Sequence, residues 1–250
     1  MNSAEYTAGN KAIDHRYLSK KGRTVMESVM DANYSGLIRR IGKWTLILGI
    51  ANAVFYLLHD VIGALNYPGY KWMEQAVSDL TAEDSPAREI AKIFTGLHGK
   101  CSIITCVLLC IMVKYVRKPL RVGIYLFTAM HTVSNVGYDL FPLTGQGYDG
   151  TFQSFMHVYV ITIAVVLLSI ASLIVIAVGS FKDQRKKLGI LALVFLGCMF
   201  VGAVGSNALP KAVFGIVERF STYSAVIFTA VLGVYWYIRF DGEGKKTAGA

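Results

Sequence analysis

Residues 157–180 read HVYVITIAVVLLSIASLIVIAVGS and contain no charged side chain. An α-helix rises about 1.5 Å per residue, so about 20 mainly apolar residues cross the hydrocarbon core of a bilayer. The stretch is continuously apolar and does not alternate with a period of two, which favours a helix over a barrel strand. It therefore predicts a membrane-spanning helix.

The composition indicates that this stretch is typical of the whole chain. The 250 residues are 54% hydrophobic and 16% charged, whereas soluble domains are about 45–50% apolar and about 25% charged. Such apolarity excludes a disordered chain and argues against a soluble nucleic-acid binder despite a net charge of +9. We predict an all-α, polytopic integral membrane protein, a bundle of six transmembrane helices embedded in the lipid bilayer. The predicted spans are Trp44–Ala64, Ile90–Tyr115, Val122–Phe141, His157–Ser180, Leu188–Leu209 and Ile216–Ile238.

The basic residues predict the orientation of the bundle. Nineteen of the 25 Lys and Arg residues fall within 1–43, 114–121, 182–187 and 239–246, which six spans place on one side. The side rich in Lys and Arg is normally cytoplasmic. We therefore expect a protein of the plasma membrane with both termini in the cytoplasm. The basic cytoplasmic face is expected to attract anionic lipid.

Three regions follow from this topology: a basic N-terminal segment (1–43), the transmembrane domain (44–240) and a cytoplasmic tail (241–250). Within the first region, the apolar residues of Val25–Ile41 follow helical spacing. This pattern predicts an amphipathic helix. The helix lies either on the membrane surface or against the cytoplasmic ends of the bundle.

The first outside loop (65–89) is predicted to contain a short helix. Tyr67-Pro-Gly-Tyr is typical of a turn, and the apolar residues between Trp72 and Leu80 then follow helical spacing. Such a helix lies across the mouth of the bundle. It acts either as a lid or as an aromatic anchor in the membrane interface.

Polar residues collect in the predicted outer half of the bundle. Lys100 lies in the second span and must snorkel to the surface, pair with Asp139 or Glu218, or line an aqueous cavity. Ionisable groups inside a bilayer are costly unless they are paired or hydrated. We therefore hypothesise a polar pocket that binds a lipid headgroup or a small polar ligand. Its candidate residues are Asp79, Lys100, His131, Asp139, His157, Glu218 and Arg219.

Three other classes of function stay open. A metal-dependent membrane hydrolase would use His98, His131 and His157 as ligands. No span carries an HxxxH or HExxH pattern, so we predict no metal site, and hydrogen bonds between helices also account for these histidines. A transporter is disfavoured because the two halves do not repeat. The last class is a non-catalytic protein that contacts another membrane protein or a second copy of itself. No catalytic residue and no cofactor can be named.

Three stretches together resemble the DUF998 family, bacterial and archaeal membrane proteins of unknown function. They are Tyr67-Pro-Gly-Tyr-Lys-Trp with Val77-Ser-Asp-Leu and Ser85-Pro-Ala, then Asp139-Leu-Phe-Pro-Leu with His157, and Gly215-Ile-Val-Glu-Arg-Phe-Ser. The resemblance covers roughly Trp44–Phe240 and implies a multi-pass fold in a bacterial cell membrane. It implies no activity, substrate or cofactor.

Overall fold

A computed structural model describes residues 36–248, apart from the side chains at 115, 207 and 240–248. Within this range the chain forms six long helices and no strand. They are α1 (Gly36–Leu65), α2 (Arg88–Met112), α3 (Lys118–Leu140), α4 (Phe152–Lys182), α5 (Lys186–Ala208) and α6 (Phe214–Ala248). Short 3₁₀ turns lie at Val77–Thr81, Val113–Tyr115 and Lys211–Val213, and α4 contains a π-turn at Met156–Ile161.

Five of the helical segments are long and apolar enough to cross a membrane. They are Gly36–Leu65, Arg88–Met112, Phe152–Lys182, Lys186–Ser206 and Lys211–Arg239. The helix α3 has 23 residues and is longer than the segment Lys186–Ser206, but its lysine, arginine, histidine and aspartate residues lower its mean hydropathy. The all-helical membrane class is therefore confirmed, whereas the count of six spans and the side of the termini stay predictions.

The first helix begins earlier than the predicted first span. The described part of α1 starts at Gly36. Residues 36–41 of the predicted amphipathic helix therefore belong to α1. The rest of that predicted helix lies outside the described residues. At the other terminus, α6 continues to Ala248 through the predicted cytoplasmic tail.

The bundle is held together by an apolar core and by close contacts at glycine. Phe127 of α3 and Phe228 of α6 meet edge to face in this core, with ring centroids 5.5 Å apart. A Cβ atom at Gly123 of α3 would collide with the backbone of Ile176 in α4, and one at Gly202 of α5 would collide with Ser221 of α6. Small residues at these positions let the helices approach closely, as is common in membrane bundles.

The segment 66–87 crosses one end of the bundle, which we call the loop end. Gly69 adopts a φ of +79° in the first turn of this segment, a conformation that glycine tolerates best. The 3₁₀ turn Val77–Thr81 then buries Leu80 against Gly63 of α1. The predicted short helix of the loop is thus present as a single 3₁₀ turn. Near the end of the segment, the Ser85 hydroxyl accepts from the N–H of Ala87, the residue just before α2.

Candidate functional site

Arg219 and Asp60 form a buried ion pair that joins α6 to α1. The Arg219 Nη2 donates to Asp60 Oδ1 at 2.7 Å, and its Nε donates to Oδ2 at 2.8 Å. The Tyr223 hydroxyl donates to the same Oδ2 at 3.1 Å. Only 5% of Arg219 and 3% of Asp60 is exposed. Two parallel charge-assisted bonds fix the relative geometry of the two side chains, and so they fix the first and last helices at the loop end.

The remaining N–H groups of Arg219 hold the loop segment. The Nη1 donates to the carbonyl oxygens of Trp72, Gln75 and Gly215 at 2.9, 3.2 and 2.9 Å, and Nη2 donates to the Tyr70 hydroxyl at 3.0 Å. The guanidinium also lies 4.8 Å from the centre of the Trp72 ring. A guanidinium has five N–H donors, and all of them are used. Arg219 therefore has no free N–H to offer a phosphate.

Two further carboxylates lie where the loop meets α6. The Val77 backbone N–H donates to Glu218 Oε2, and the Ala76 N–H donates to Asp79 Oδ2, both at 3.2 Å. The second oxygen of Asp79 is buried, and the Gly147 backbone N–H also acts on this carboxylate as a hydrogen-bond donor. Burial raises the pKa of Asp79 to about 6, although the bond from Ala76 opposes that rise.

Aromatic and ionisable side chains continue inward from the ion pair. The ring of Tyr56 lies 5.6 Å from that of His59, 4.9 Å from that of His98 and 5.1 Å from that of Tyr223. Glu218 interacts electrostatically with Tyr56 and Tyr223. We call these five residues the loop-end polar cluster. It draws side chains from α1, α2 and α6.

Several polar atoms in and beside this cluster are buried without a hydrogen-bond partner. His59 is only 3% exposed, yet neither of its ring nitrogens has one. The same holds for Asn52 Oδ1 and Thr95 Oγ1, although the Asn52 amide nitrogen donates to the Val226 carbonyl at 3.0 Å. Leaving a buried polar group unpaired costs about 1–3 kcal/mol. Such atoms are therefore normally paired in folded proteins, including with bound water.

The structure brings together some of the residues that the sequence suggested and separates others. Asp79, Glu218 and Arg219 converge where the loop meets α6. Lys100 of α2 and Asp139 of α3 are exposed on the helix surfaces. Neither of these two residues forms an ion pair among the described residues.

The two remaining candidates, His131 and His157, are each buried with a partner of their own. His131 Nε2 lies 2.8 Å from the Thr229 hydroxyl of α6. His157 Nδ1 lies 2.7 Å from the Phe141 carbonyl oxygen and therefore donates to it. His157 belongs to the π-turn Met156–Ile161, a feature that is frequent at functional sites.

Metal coordination finds no support in the arrangement of these histidines. His98 uses its Nδ1 on the Asn52 carbonyl oxygen at 3.2 Å, so His98, His131 and His157 each contact a different partner. Among the described residues, no group of three histidine, cysteine or acidic side chains is placed to hold a metal ion. Each of these three histidines makes its hydrogen bond to a residue outside its own helix.

A cavity of about 340 Å³ lies between α5 and α6. It adjoins the ion pair of Asp60 and Arg219. Trp72, Arg219 and Tyr223 line it, and Phe195 and Phe220 supply much of its apolar wall. The cavity therefore combines an apolar surface with the edge of the loop-end polar cluster. Its volume lies within the usual range of small-molecule sites, which is about 300–1,000 Å³.

The comparison with protein families agrees with the motifs at the loop end. The family model described as "Protein of unknown function (DUF998)" matches residues 50–235. The chain belongs to the DUF998 family. No curated protein and no solved structure matches it. The matched range of this DUF998 protein includes the ion pair, the loop segment and the whole polar cluster.

The sequence interpretation missed Asp60, the partner of Arg219. Asp60 is the one acidic residue in the predicted span Trp44–Ala64, and a carboxylate there requires a partner or water. That signal was available, but choosing between Arg219 and other cations required knowing that α1 packs on α6.

Proposed function

We propose that this DUF998 protein binds a small polar ligand, or the headgroup of a lipid, inside the loop-end half of its bundle. The binding site is the loop-end polar cluster, and the segment 66–87 covers it. On the predicted topology this is the outer half of the membrane. Of the seven residues suggested by the sequence, Glu218 belongs to this cluster and Asp79 and Arg219 adjoin it, and Arg219 organises the site without contacting the ligand.

The observation that carries the proposal is that the buried His59 has no hydrogen-bond partner on either ring nitrogen. A buried imidazole with two unpartnered nitrogens is a net cost to the fold unless something else pairs with it. Asn52 Oδ1 and Thr95 Oγ1 are also buried without a hydrogen-bond partner. His59 is in ring contact with Tyr56, and Asn52 is linked to the cluster through the bond of its carbonyl oxygen to His98, so a bound molecule or a few waters between these helices would satisfy them.

The cavity between α5 and α6 supplies an approach to this site. Its apolar wall suits a hydrocarbon chain, and Tyr223 belongs both to the cavity lining and to the polar cluster. A lipid lying in the cavity would therefore place its headgroup beside Trp72 and Tyr223. This geometry favours a ligand that enters from the membrane over one that crosses it.

The substitution His59→Phe tests the proposal because it removes both ring nitrogens and keeps a ring of similar shape. The purified protein in detergent is heated with ethanolamine, glycerol 3-phosphate, phosphatidylethanolamine or phosphatidylglycerol, and Tm is recorded. We expect at least one compound to raise the Tm of the unsubstituted protein and not that of His59→Phe. Native mass spectra should show the same compound bound.

A matched control is His157→Phe, which removes an imidazole that already has a protein partner. This variant is expected to keep the ligand-dependent shift even though its basal Tm falls. If none of the four compounds shifts the unsubstituted protein, and His59→Phe is simply more stable under all conditions, His59 is an unsatisfied core residue and the proposal is wrong.

A further inference from the structure

We infer that the ligand of the loop-end polar cluster carries a primary ammonium group and that Glu218 is its counter-ion. This inference rests on the function proposed above. It names the chemical class of the ligand, which neither the family nor the apolar cavity specifies. The ammonium is either that of a free amine or that of an amine-bearing phospholipid headgroup.

The balance of charge at the site leads to this inference. The carboxylates of Asp60, Asp79 and Glu218 lie around the guanidinium of Arg219. Arg219 makes its ion pair with Asp60 alone. Among the side chains that the structure describes, neither Asp79 nor Glu218 is in an ion pair. The site therefore has an excess of negative charge, which favours a cation.

The surroundings of Glu218 suit an organic cation. One carboxylate oxygen accepts from the Val77 N–H at 3.2 Å, and the group interacts electrostatically with Tyr56, Tyr138 and Tyr223. The faces of aromatic rings attract ammonium groups by about 0.5–2 kcal/mol, depending on how far they are desolvated. Glu218 thus supplies a counter-charge in a cluster that also holds the rings of Tyr56 and Tyr223.

The unpartnered atoms provide an independent indication that the ligand is a hydrogen-bond donor. Asn52 Oδ1 is an acceptor without a donor, and its residue is 0% exposed. A neutral His59 ring adds one more acceptor nitrogen. An ammonium group has three N–H donors and no acceptor, whereas a phosphate would bring further acceptors to a site that already lacks donors.

His59 itself does not supply the missing positive charge. An imidazolium at this position would bury two N–H donors without acceptors, since neither ring nitrogen has a partner. Burying an unpaired charge costs far more than burying the neutral ring. Lys71, the lysine of the loop segment, pairs with Glu74 on the loop surface at 3.2 Å. Among the described residues, Arg219 is the cation that acts on Glu218, and Arg219 already forms its ion pair with Asp60.

The test compares Glu218→Gln with Glu83→Gln. Glutamine keeps an acceptor for the Val77 N–H while removing the charge at position 218. Glu83 is an exposed loop residue whose carboxylate accepts from Gln153 at 3.1 Å, so the control makes the same chemical change outside the site. The probes are ethanolamine and glycerol 3-phosphate in solution, and phosphatidylethanolamine and phosphatidylglycerol in nanodiscs. Binding is followed by Tm and by Trp72 fluorescence, with Trp44 and Trp236 replaced by Phe.

We expect ethanolamine or phosphatidylethanolamine to bind, and Glu218→Gln to weaken that binding at least tenfold while Glu83→Gln leaves it unchanged. Binding of ethanolamine alone identifies a free amine as the ligand, and binding of the lipid alone identifies a headgroup. If only the phosphate probes bind in a manner that depends on His59, the proposed function stands and the ammonium inference is wrong. If no probe binds, both fail. Should Glu218→Gln not fold, the preference of the unsubstituted protein between amine and phosphate decides the question.

Discussion

Gly215, next to the first residue of α6, donates its backbone N–H to the carbonyl oxygen of Met73 at 2.8 Å. This bond seats the loop segment directly on the start of the last helix. The approach is so close that a Cβ atom at Gly215 would collide with the carbonyl oxygens of Trp72 and Gln75. Both of these oxygens also accept from Arg219, so the glycine and the arginine hold the same piece of backbone.

The substitution Gly215→Ala should displace the loop segment. The added methyl group has no space, and overpacking of this kind typically costs about 1–3 kcal/mol. We expect a lower Tm and faster proteolysis between residues 66 and 87. The control is Gly197→Ala in α5, where an added Cβ meets nothing within 4 Å and alanine should be neutral or stabilising. A loop equally resistant to protease in both variants would contradict the importance of this contact.

Asp79 should make the stability depend on pH. Burial raises its pKa from 3.8 to about 6, so the folded protein binds a proton more tightly than the unfolded chain does. The resulting stabilisation is fully present below pH 4 and is lost as the pH rises through 6. Asp79→Asn should therefore be more stable than the unsubstituted protein at pH 7–8, by at most about 3 kcal/mol.

The measurement for Asp79 is Tm between pH 4 and pH 8. The difference between Asp79→Asn and the unsubstituted protein should grow with pH and level off above pH 7. Asp139→Asn makes the same chemical change at an exposed aspartate of α3 and serves as the control. A difference for Asp79→Asn that is constant across the range would show that this carboxyl has an ordinary pKa in the fold.

Breaking the buried ion pair of Asp60 and Arg219 should lower the free energy of unfolding substantially. Asp60→Asn leaves the Arg219 guanidinium buried without its counter-charge, which typically costs about 3–5 kcal/mol. The double substitution Asp60→Asn with Arg219→Gln should be less destabilised than the sum of the single changes, because neither charge is then left alone. The exposed pair of Lys71 and Glu74 serves as the comparison, and Glu74→Gln should cost no more than about 1 kcal/mol. Chemical unfolding in detergent gives all of these free energies, and additive single costs would argue against the pair.

Reporter fusions should distinguish six spans from five. If α3 crosses the membrane, residues 116 and 147 lie on opposite sides, and the positive-inside rule places 116 in the cytoplasm. Alkaline phosphatase fused after residue 116 should be inactive, and the same enzyme fused after residue 147 should be active. A green fluorescent protein fused after residue 250 should fluoresce. Equal phosphatase activity at the first two positions would mean that α3 does not cross.

The helices were predictable from the sequence, whereas the pairing of their polar residues was only partly predictable. Uninterrupted apolar runs such as 157–180 require a helix in a bilayer, so the spans follow from composition. Depth in the membrane also follows, because it is counted at about 1.5 Å per residue. The rotation of each helix about its axis cannot be obtained from the sequence in this way. For this reason Lys100 was expected at a pocket, yet it is exposed.

The candidate site shows the same division. Glu218 and Arg219 are adjacent residues of one helix and therefore point about 100° apart, which predicts different neighbours for the two side chains. Glu218 does contact the loop and Arg219 does contact α1. The identity of those neighbours depends on which helices pack together, and 159 residues separate Asp60 from Arg219. Local spacing carries no information about a contact at that separation.

That separation also sets an order of events during synthesis. The first helix enters the bilayer with its carboxylate long before the ribosome has made the last helix. At about 5–20 residues per second, a gap of 159 residues corresponds to roughly 8–32 s during which Asp60 has been synthesised and Arg219 has not. Throughout that interval α1 must keep this group protonated, hydrated or bound to the insertion machinery. The bundle can close its loop end only when its final helix arrives.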